Sequence, residues 1–217
     1  MSFIDILLTL VRGAGYTLLI TISCGATGLL VGLAIAIARE LGGPVLSRIL
    51  SIIVYVLRGV PMLVLLFIVF FGLPGIGLDV PPLLAMMLSL GLISGAYLSE
   101  VFRAAFAAVN ANEILAAEAT GFNRIQTLRL IQLPQMIRFA VPGMVNELTT
   151  VLKFSPFAYT VGIPEITKQA MALVSTTMRG IEIYFAIGLL YFGIYRLLLV
   201  AIRLVEKHYN VPGFAQE

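Results

Sequence analysis

ANEILAAEATGFNRIQTLRLIQLP, residues 111–134, is polar enough to lie outside a membrane, yet long apolar segments flank it on both sides. Its first half reads as a short alanine-rich helix that Gly121 ends, because glycine is the usual C-terminal stop. Asn123 can then cap a second helix, which must finish before Pro134. Two short helices joined at a glycine form a compact knob for a soluble partner.

The flanking composition sets the solvent. The 217-residue chain is 60% hydrophobic and only 12% charged, against about 25% charged in ordinary soluble domains. A soluble fold of this size has no interior large enough for so much apolar surface, so the expectation is an all-α membrane protein. The single cysteine, Cys24, lies in an apolar run, so there is no disulfide framework to read. The net charge of +3 is spread rather than clustered, which argues against nucleic-acid binding. No basic run precedes Arg12, so a cleaved secretory signal is not expected.

About five crossings are expected, near residues 16–38, 45–71, 82–106, 139–163 and 183–204, each able to span about 30 Å of hydrocarbon. The loop 107–138 lies between the third and the fourth. Gly28-x-x-x-Gly32 in the first can admit a neighbouring helix closely, or reflect simple glycine tolerance. The second holds Arg58, Gly59 and Pro61, so its first third is interfacial or kinked, with Arg58 either facing a cavity or snorkelling to the headgroups. In the third, Ser89, Ile93, Ala96, Glu100 and Arg103 share one helical face, and Glu100 and Arg103 are spaced to form a structural ion pair.

The fourth crossing is the least hydrophobic. Asn146, Thr149, Thr150 and Lys153 fall at helical spacing on one face, Glu147 sits beside them, and Ser155-Pro156 breaks the helix just after. Ionisable groups inside a membrane are functional candidates by default, and irregular backbone at that depth is tolerated only beside protein or a cavity. The stripe is therefore expected to line a polar central pathway; the alternative is that Lys153 and a carboxylate neutralise each other to fix packing. Residues 164–182 read as an external loop or surface helix, and the tail through Pro212-Gly213 as flexible.

Basic residues orient the chain. With the N-terminus outside and the C-terminus cytoplasmic, Arg39, Arg48, Arg103, Arg124, Arg129, Arg138, Arg203 and Lys207 fall inside, and only Arg12, Lys168 and Arg179 outside. This puts the opening stretch in the cytoplasm. Five crossings with no internal repeat cannot supply two matched halves around a central site, so a second copy or a related chain is expected.

Ala116-Ala117, Gly121, and then Ile131-x-Leu133-Pro134 after nine residues resemble the coupling loop of ABC importer permeases. Leu57-Arg58-Gly59-Val60-Pro61, Ala96-Tyr97-x-x-Glu100-x-x-Arg103, Leu133-Pro134-Gln135, Asn146-Glu147, Leu152-Lys153 and Val161-Gly162-Ile163-x-Glu165 are similar to the polar amino acid branch of that family. The match runs over roughly residues 13–207. Leu115 stands where the family carries the glutamate that names the loop, with Glu113 and Glu118 close by.

The resemblance implies the type I importer transmembrane fold with cytoplasmic coupling helices, in a bacterial plasma (inner) membrane. Implied partners are two ATPase subunits, a second permease, an extracytoplasmic substrate-binding protein and the lipid bilayer. ATP and magnesium would sit on the ATPase subunits, and this chain would bind no cofactor. Ala116, Ala117, Glu118, Gly121, Phe122 and Arg124 would form the ATPase contact. Asn146, Glu147, Thr150, Lys153, Ser155 and Tyr97 would line the route of an amino acid, polar or charged. Leu65 and Ile93 replace a glutamine and an asparagine frequent in relatives. That leaves open a less polar ligand or the non-binding half of a heterodimer.

Catalysis is not expected. No phosphate-binding Gly-x-x-x-x-Gly-Lys-Ser/Thr loop is present. His208 is the lone histidine, near the tail and expected to be solvated, so neither a metal site nor histidine chemistry is expected. The rivals are an ion-gradient-driven transporter or channel, which leaves the knob without a purpose, and a non-transporting scaffold.

Overall fold

The computed structural model describes residues 2–208, and every regular element among them is a helix. Helix α1 (Phe3–Leu41) is 39 residues long and free of proline, which makes it about 58 Å at 1.5 Å per residue. It begins well before the expected Tyr16 because Ser2 and Asp5 form a capping box. Asp5 N–H donates to Ser2 Oγ (3.2 Å), and Ser2 N–H donates to Asp5 Oδ2 (2.7 Å).

The second apolar stretch is two helices. Helix α2 (Pro44–Gly59) meets the segment Met62–Ile76 at a 98° elbow. Val60 is extended there (φ −85°, ψ 127°), as the residue before a proline prefers. The far arm is α3 (Met62–Phe67), continued by a π turn (Ile68–Gly72) and a 3-10 turn (Leu73–Ile76). Helix α4 (Pro82–Met86) runs through a π turn (Met87–Gly91) into α5 (Leu92–Ala107) as one 26-residue span.

The knob follows as α6 (Ala111–Ala119) and α7 (Arg124–Thr127). The second short helix does not stop before Pro134. Its backbone continues through a π turn (Leu128–Gln132) into α8 (Leu133–Phe154), with Pro134 in the first turn of α8. A proline is harmless where the regular hydrogen-bond ladder is already interrupted. Beyond α8 come a 3-10 stretch (Ser155–Val161), α9 (Ile166–Thr177) and α10 (Gly180–His208). The tail around Pro212-Gly213 and the side chains of Arg203, Glu206, Lys207 and His208 lie outside the described residues.

Length and composition qualify α1, the α4–α5 span and α10 as membrane-crossing helices, and the bent α2–α3 pair as a fourth. Helix α8 falls short of that hydropathy because Arg138, Asn146, Glu147 and Lys153 interrupt it.

α1 packs along α5, and glycine sets their separation. A Cβ on Gly28 would lie 2.7 Å from Ser94 Oγ, and one on Gly32 2.8 Å from Leu98 Cβ and 2.9 Å from the Gly95 carbonyl oxygen. Small residues at such crossings let backbones approach where lipid offers no hydrophobic drive. Three buried clusters result among the described residues. Ile20, Leu66, Met86, Leu90 and Val151 fill one. Ala36, Leu98, Phe102, Leu128 and Met136 join α1 and α5 to the π turn and α8 that follow the knob. Ile6, Leu10, Ile166, Ala170 and Ile183 join α1, α9 and α10 at the opposite end.

Candidate functional site

The knob is built by its caps. Gly121 takes φ +90°, and the N–H groups of Gly121 and Phe122 donate to the carbonyls of Glu118 and Ala117, each at 3.0 Å. That left-handed residue ends α6 and turns the chain. Asn123 and Gln126 then cap each other's backbone N–H groups at 2.8 and 2.9 Å, which starts α7. Of the expected contact residues, Ala116, Glu118, Gly121, Phe122 and Arg124 are exposed, whereas Ala117 is buried against the fold.

The same surface carries Leu115 at 61% and Ile125 at 65% exposure, with Phe122 and Leu130 also open. Exposed apolar side chains grouped on one surface make it a candidate for a protein contact.

Behind the knob lies a polar network that sequence reasoning reached only in part. Glu100 Oε2 accepts from Arg103 Nε at 2.9 Å, and Glu100 Oε1 also accepts from Arg39 Nη1 of α1 at 2.5 Å. The neighbouring Glu40 accepts from Gln132 Nε2 at 3.3 Å, and its carbonyl accepts from the Arg124 guanidinium. Gln135 donates to Glu113, which fastens α8 to α6. Arg39 and Glu40 read in sequence only as charges closing a crossing. A tie across 61 residues leaves no local signal.

The expected polar stripe on α8 divides. Asn146 and Lys153 are exposed and Thr150 is half-buried, so these face outward from the chain. Thr150 Oγ1 also donates to the Asn146 carbonyl at 2.9 Å. Among the described residues Lys153 joins no ion pair; its ammonium lies 5.7 Å from the Tyr195 ring centroid, in an open groove with Leu152, Pro156, Tyr191 and Phe192.

Glu147 and Ser155 are buried within this chain. Glu147 is buried beside Ser94 of α5. Ser155 has no exposed surface, and its hydroxyl donates to the Leu152 carbonyl at 2.8 Å. Each is enclosed because this side of α8, and the start of the 3-10 stretch after it, turn toward neighbouring elements of the same chain.

Tyr97 is exposed, and the Arg58 guanidinium lies 4.8 Å from its ring centroid, at the elbow after α2. Arg58 thus sits at a break in the helix and rests on an aromatic face. Its motif pointed to a kink, but the partner ring lay too far along the chain to be read.

A third cluster, far from the knob, was not read as chemistry at all. Glu165 is fully buried at the start of α9. It accepts from the N–H groups of Thr167 (2.8 Å) and Lys168 (2.9 Å) and from Tyr191 Oη of α10 (2.7 Å). Burial pushes its carboxyl pKa above the ordinary carboxylate range, against the lowering effect of those donors.

Residues 28–211 match the model of a family described as the binding-protein-dependent transport system inner membrane component. A probable amino-acid ABC transporter permease protein of Bacillus subtilis, YckA, is 34% identical over 92% of this chain and 88% of its own length. The histidine/lysine/arginine/ornithine transport system permease protein HisQ of Salmonella typhimurium is 34% identical over 93% of each chain. Among solved structures, an amino acid ABC transporter crystallised with histidines superposes with a TM-score of 0.85 at 28% identity, covering 96% of this chain and 99% of that one. The MetNI methionine transporter in an inward-facing form shares the fold, with a TM-score of 0.80 at 20% identity over 97% and 100% of the two chains.

Proposed function

The chain belongs to the family of binding-protein-dependent transport system inner membrane components, and from that premise we propose that it is the membrane-spanning subunit of an ATP-driven amino acid importer. The observation that carries the mechanism is the knob: α6 and α7, turned on Gly121, present Leu115, Phe122 and Ile125 on an exposed surface. In this reading the knob seats in a groove on a cytoplasmic ATPase subunit, and Phe122 is the apolar plug. Arg124 donates to the Glu40 carbonyl, which braces the knob against α1.

Family membership makes the chain a permease component rather than a catalyst. ATP and magnesium act on the ATPase pair, and this chain holds no cofactor. A second permease completes the translocation route, and a binding protein delivers substrate from outside. The N-terminus is placed outside and the C-terminus in the cytoplasm, which the distribution of basic residues supports. Closure of the ATPases shifts the population between inward- and outward-open states, provided ATP and loaded binding protein each prefer one state.

An amino acid substrate is supported by the names of the relatives at 34% identity. Asn146, Thr150, Lys153 and Tyr97 have the exposure needed to meet it. The Lys153 ammonium suits a carboxylate.

Reconstitution into proteoliposomes with the ATPase subunit and binding protein, followed by uptake of each of the labelled amino acids, tests the proposal. ATP-dependent accumulation of at least one is expected. Uptake that follows an imposed ion gradient and ignores ATP would contradict it.

A further inference from the structure

α1 is tied at both ends, and by different chemistry. At the knob end, Arg39 pairs with Glu100 of α5 at 2.5 Å, and Glu40 accepts from Gln132 at 3.3 Å. Charge-assisted contacts of this kind fix geometry better than apolar packing does. At the far end the α1 backbone abuts the start of α9. A Cβ on Gly13 would lie 2.6 Å from Ile166 N, so only glycine admits the approach. There Glu165 caps α9 and accepts from Tyr191 of α10 at 2.7 Å, which binds three helices into one unit.

The helices between these ends differ in stiffness. α2 and α3 are broken by the 98° elbow, and α5 follows a π turn at Met87–Gly91. Such interruptions absorb displacement. α1 runs for 39 residues without one.

We propose that α1 is a tie rod that carries displacement of the knob to the α9–α10 end, with Arg39 and Gln132 as positioning residues at one end and Tyr191 at the other. The inference rests on the importer reading, since it needs a knob that moves. It explains why a 39-residue helix extends past the bilayer span required of it, and why the buried carboxyl of Glu165 is held by donors from both α9 and α10. Two sites count as coupled only when both bias the same two-state element. Here α1 is that element, and the binding-protein side and the ATPase side are the two sites.

The test uses the complete complex in proteoliposomes, with binding protein and a mixture of the twenty common amino acids as the probe. ATP hydrolysis is read with and without the binding protein. Gln132→Leu, Arg39→Gln and Tyr191→Phe are each expected to assemble and to keep basal hydrolysis. Stimulation by the binding protein is expected to fall about fivefold or more, the scale of a typical coupling free energy. Arg39→Lys should restore most of it. Because the two ends act in series, Gln132→Leu combined with Tyr191→Phe should be no worse than the weaker single variant. Unchanged stimulation, or losses from the two ends that multiply as independent sites do, would overturn the proposal. So would loss of assembly in every variant, which would make these contacts purely structural. If the wild-type complex shows no stimulation, the importer reading itself fails, and the tie rod with it.

Discussion

Gly32 and Gly15 lie on the same helix and test opposite things. A Cβ on Gly32 would meet Leu98 Cβ at 2.8 Å and the Gly95 carbonyl oxygen at 2.9 Å, whereas one on Gly15 meets nothing within 4 Å. Gly32→Ala is therefore expected to cost about 1–3 kcal/mol through overpacking, read as earlier thermal unfolding in detergent, and Gly15→Ala to leave it unchanged. Equal effects would show that the α1–α5 contact is looser than described.

Glu165 gives a pH dependence with a defined sign. Its folded carboxyl holds a proton at higher pH than the unfolded one. The native state therefore binds more protons between the ordinary carboxylate pKa, about 4.3, and the raised value. Stability relative to Glu165→Gln should decline as pH rises through that window and stay level on either side. A difference that grows with pH would refute the assignment. The Gly28-x-x-x-Gly32 spacing was visible at this scale, but it left close approach and glycine tolerance equally open until the α1–α5 contact was seen. The Glu165 contact was not visible, since its partner Tyr191 sits 26 residues away inside an apolar run.

At the scale of elements, the knob was largely legible and its continuation was not. Gly121 as a stop and Asn123 as a cap follow from local chemistry that needs no tertiary context. The passage of α7 into α8 through a π turn breaks the 3.6-residue count and hides a proline that otherwise signals a helix end. The stripe on α8 was legible as a face and no further. Periodicity does not say what covers a face, and Thr149 of the stripe is buried within this same chain while Asn146 and Lys153 are exposed.

The exposed apolar side chains of the knob carry a prediction of their own. Leu115→Asp and Ile125→Asp should each weaken association with the ATPase by about 2 kcal/mol or more, the scale of an interface hot spot, measured by titrating solubilised permease with purified ATPase. Unchanged affinity for both would place the contact elsewhere.

For the whole molecule, the unburied apolar surface is the informative feature. Only 6% of the most apolar 18-residue window of α10 is buried within the chain. On α2, Val45, Ile49, Ile52 and Val56 all face outward while Val54 alone is buried. Lipid can cover such faces, but Asn146 and Lys153 are exposed too, and charged or amide side chains are costly against hydrocarbon. A second permease covering that side is expected, and native mass spectrometry of the detergent-solubilised complex should show permease chains in pairs. The all-helical class and the membrane setting were legible from composition. The number of crossings was harder to read, because α8 pairs a spanning length of 22 residues with a polar face that lowers its hydropathy.

The most direct measurement is co-purification of the ATPase subunit with this chain, wild type against Gly121→Asp. Gly121 holds φ +90° with open space around it, so aspartate strains the turn without a clash inside the fold and sets a charge beside Phe122. If the knob joins permease to ATPase, the variant inserts at normal levels and loses its ATPase. If the ATPase stays bound and ATP-driven uptake continues, the knob is not the coupling element and the mechanism proposed for this chain is wrong.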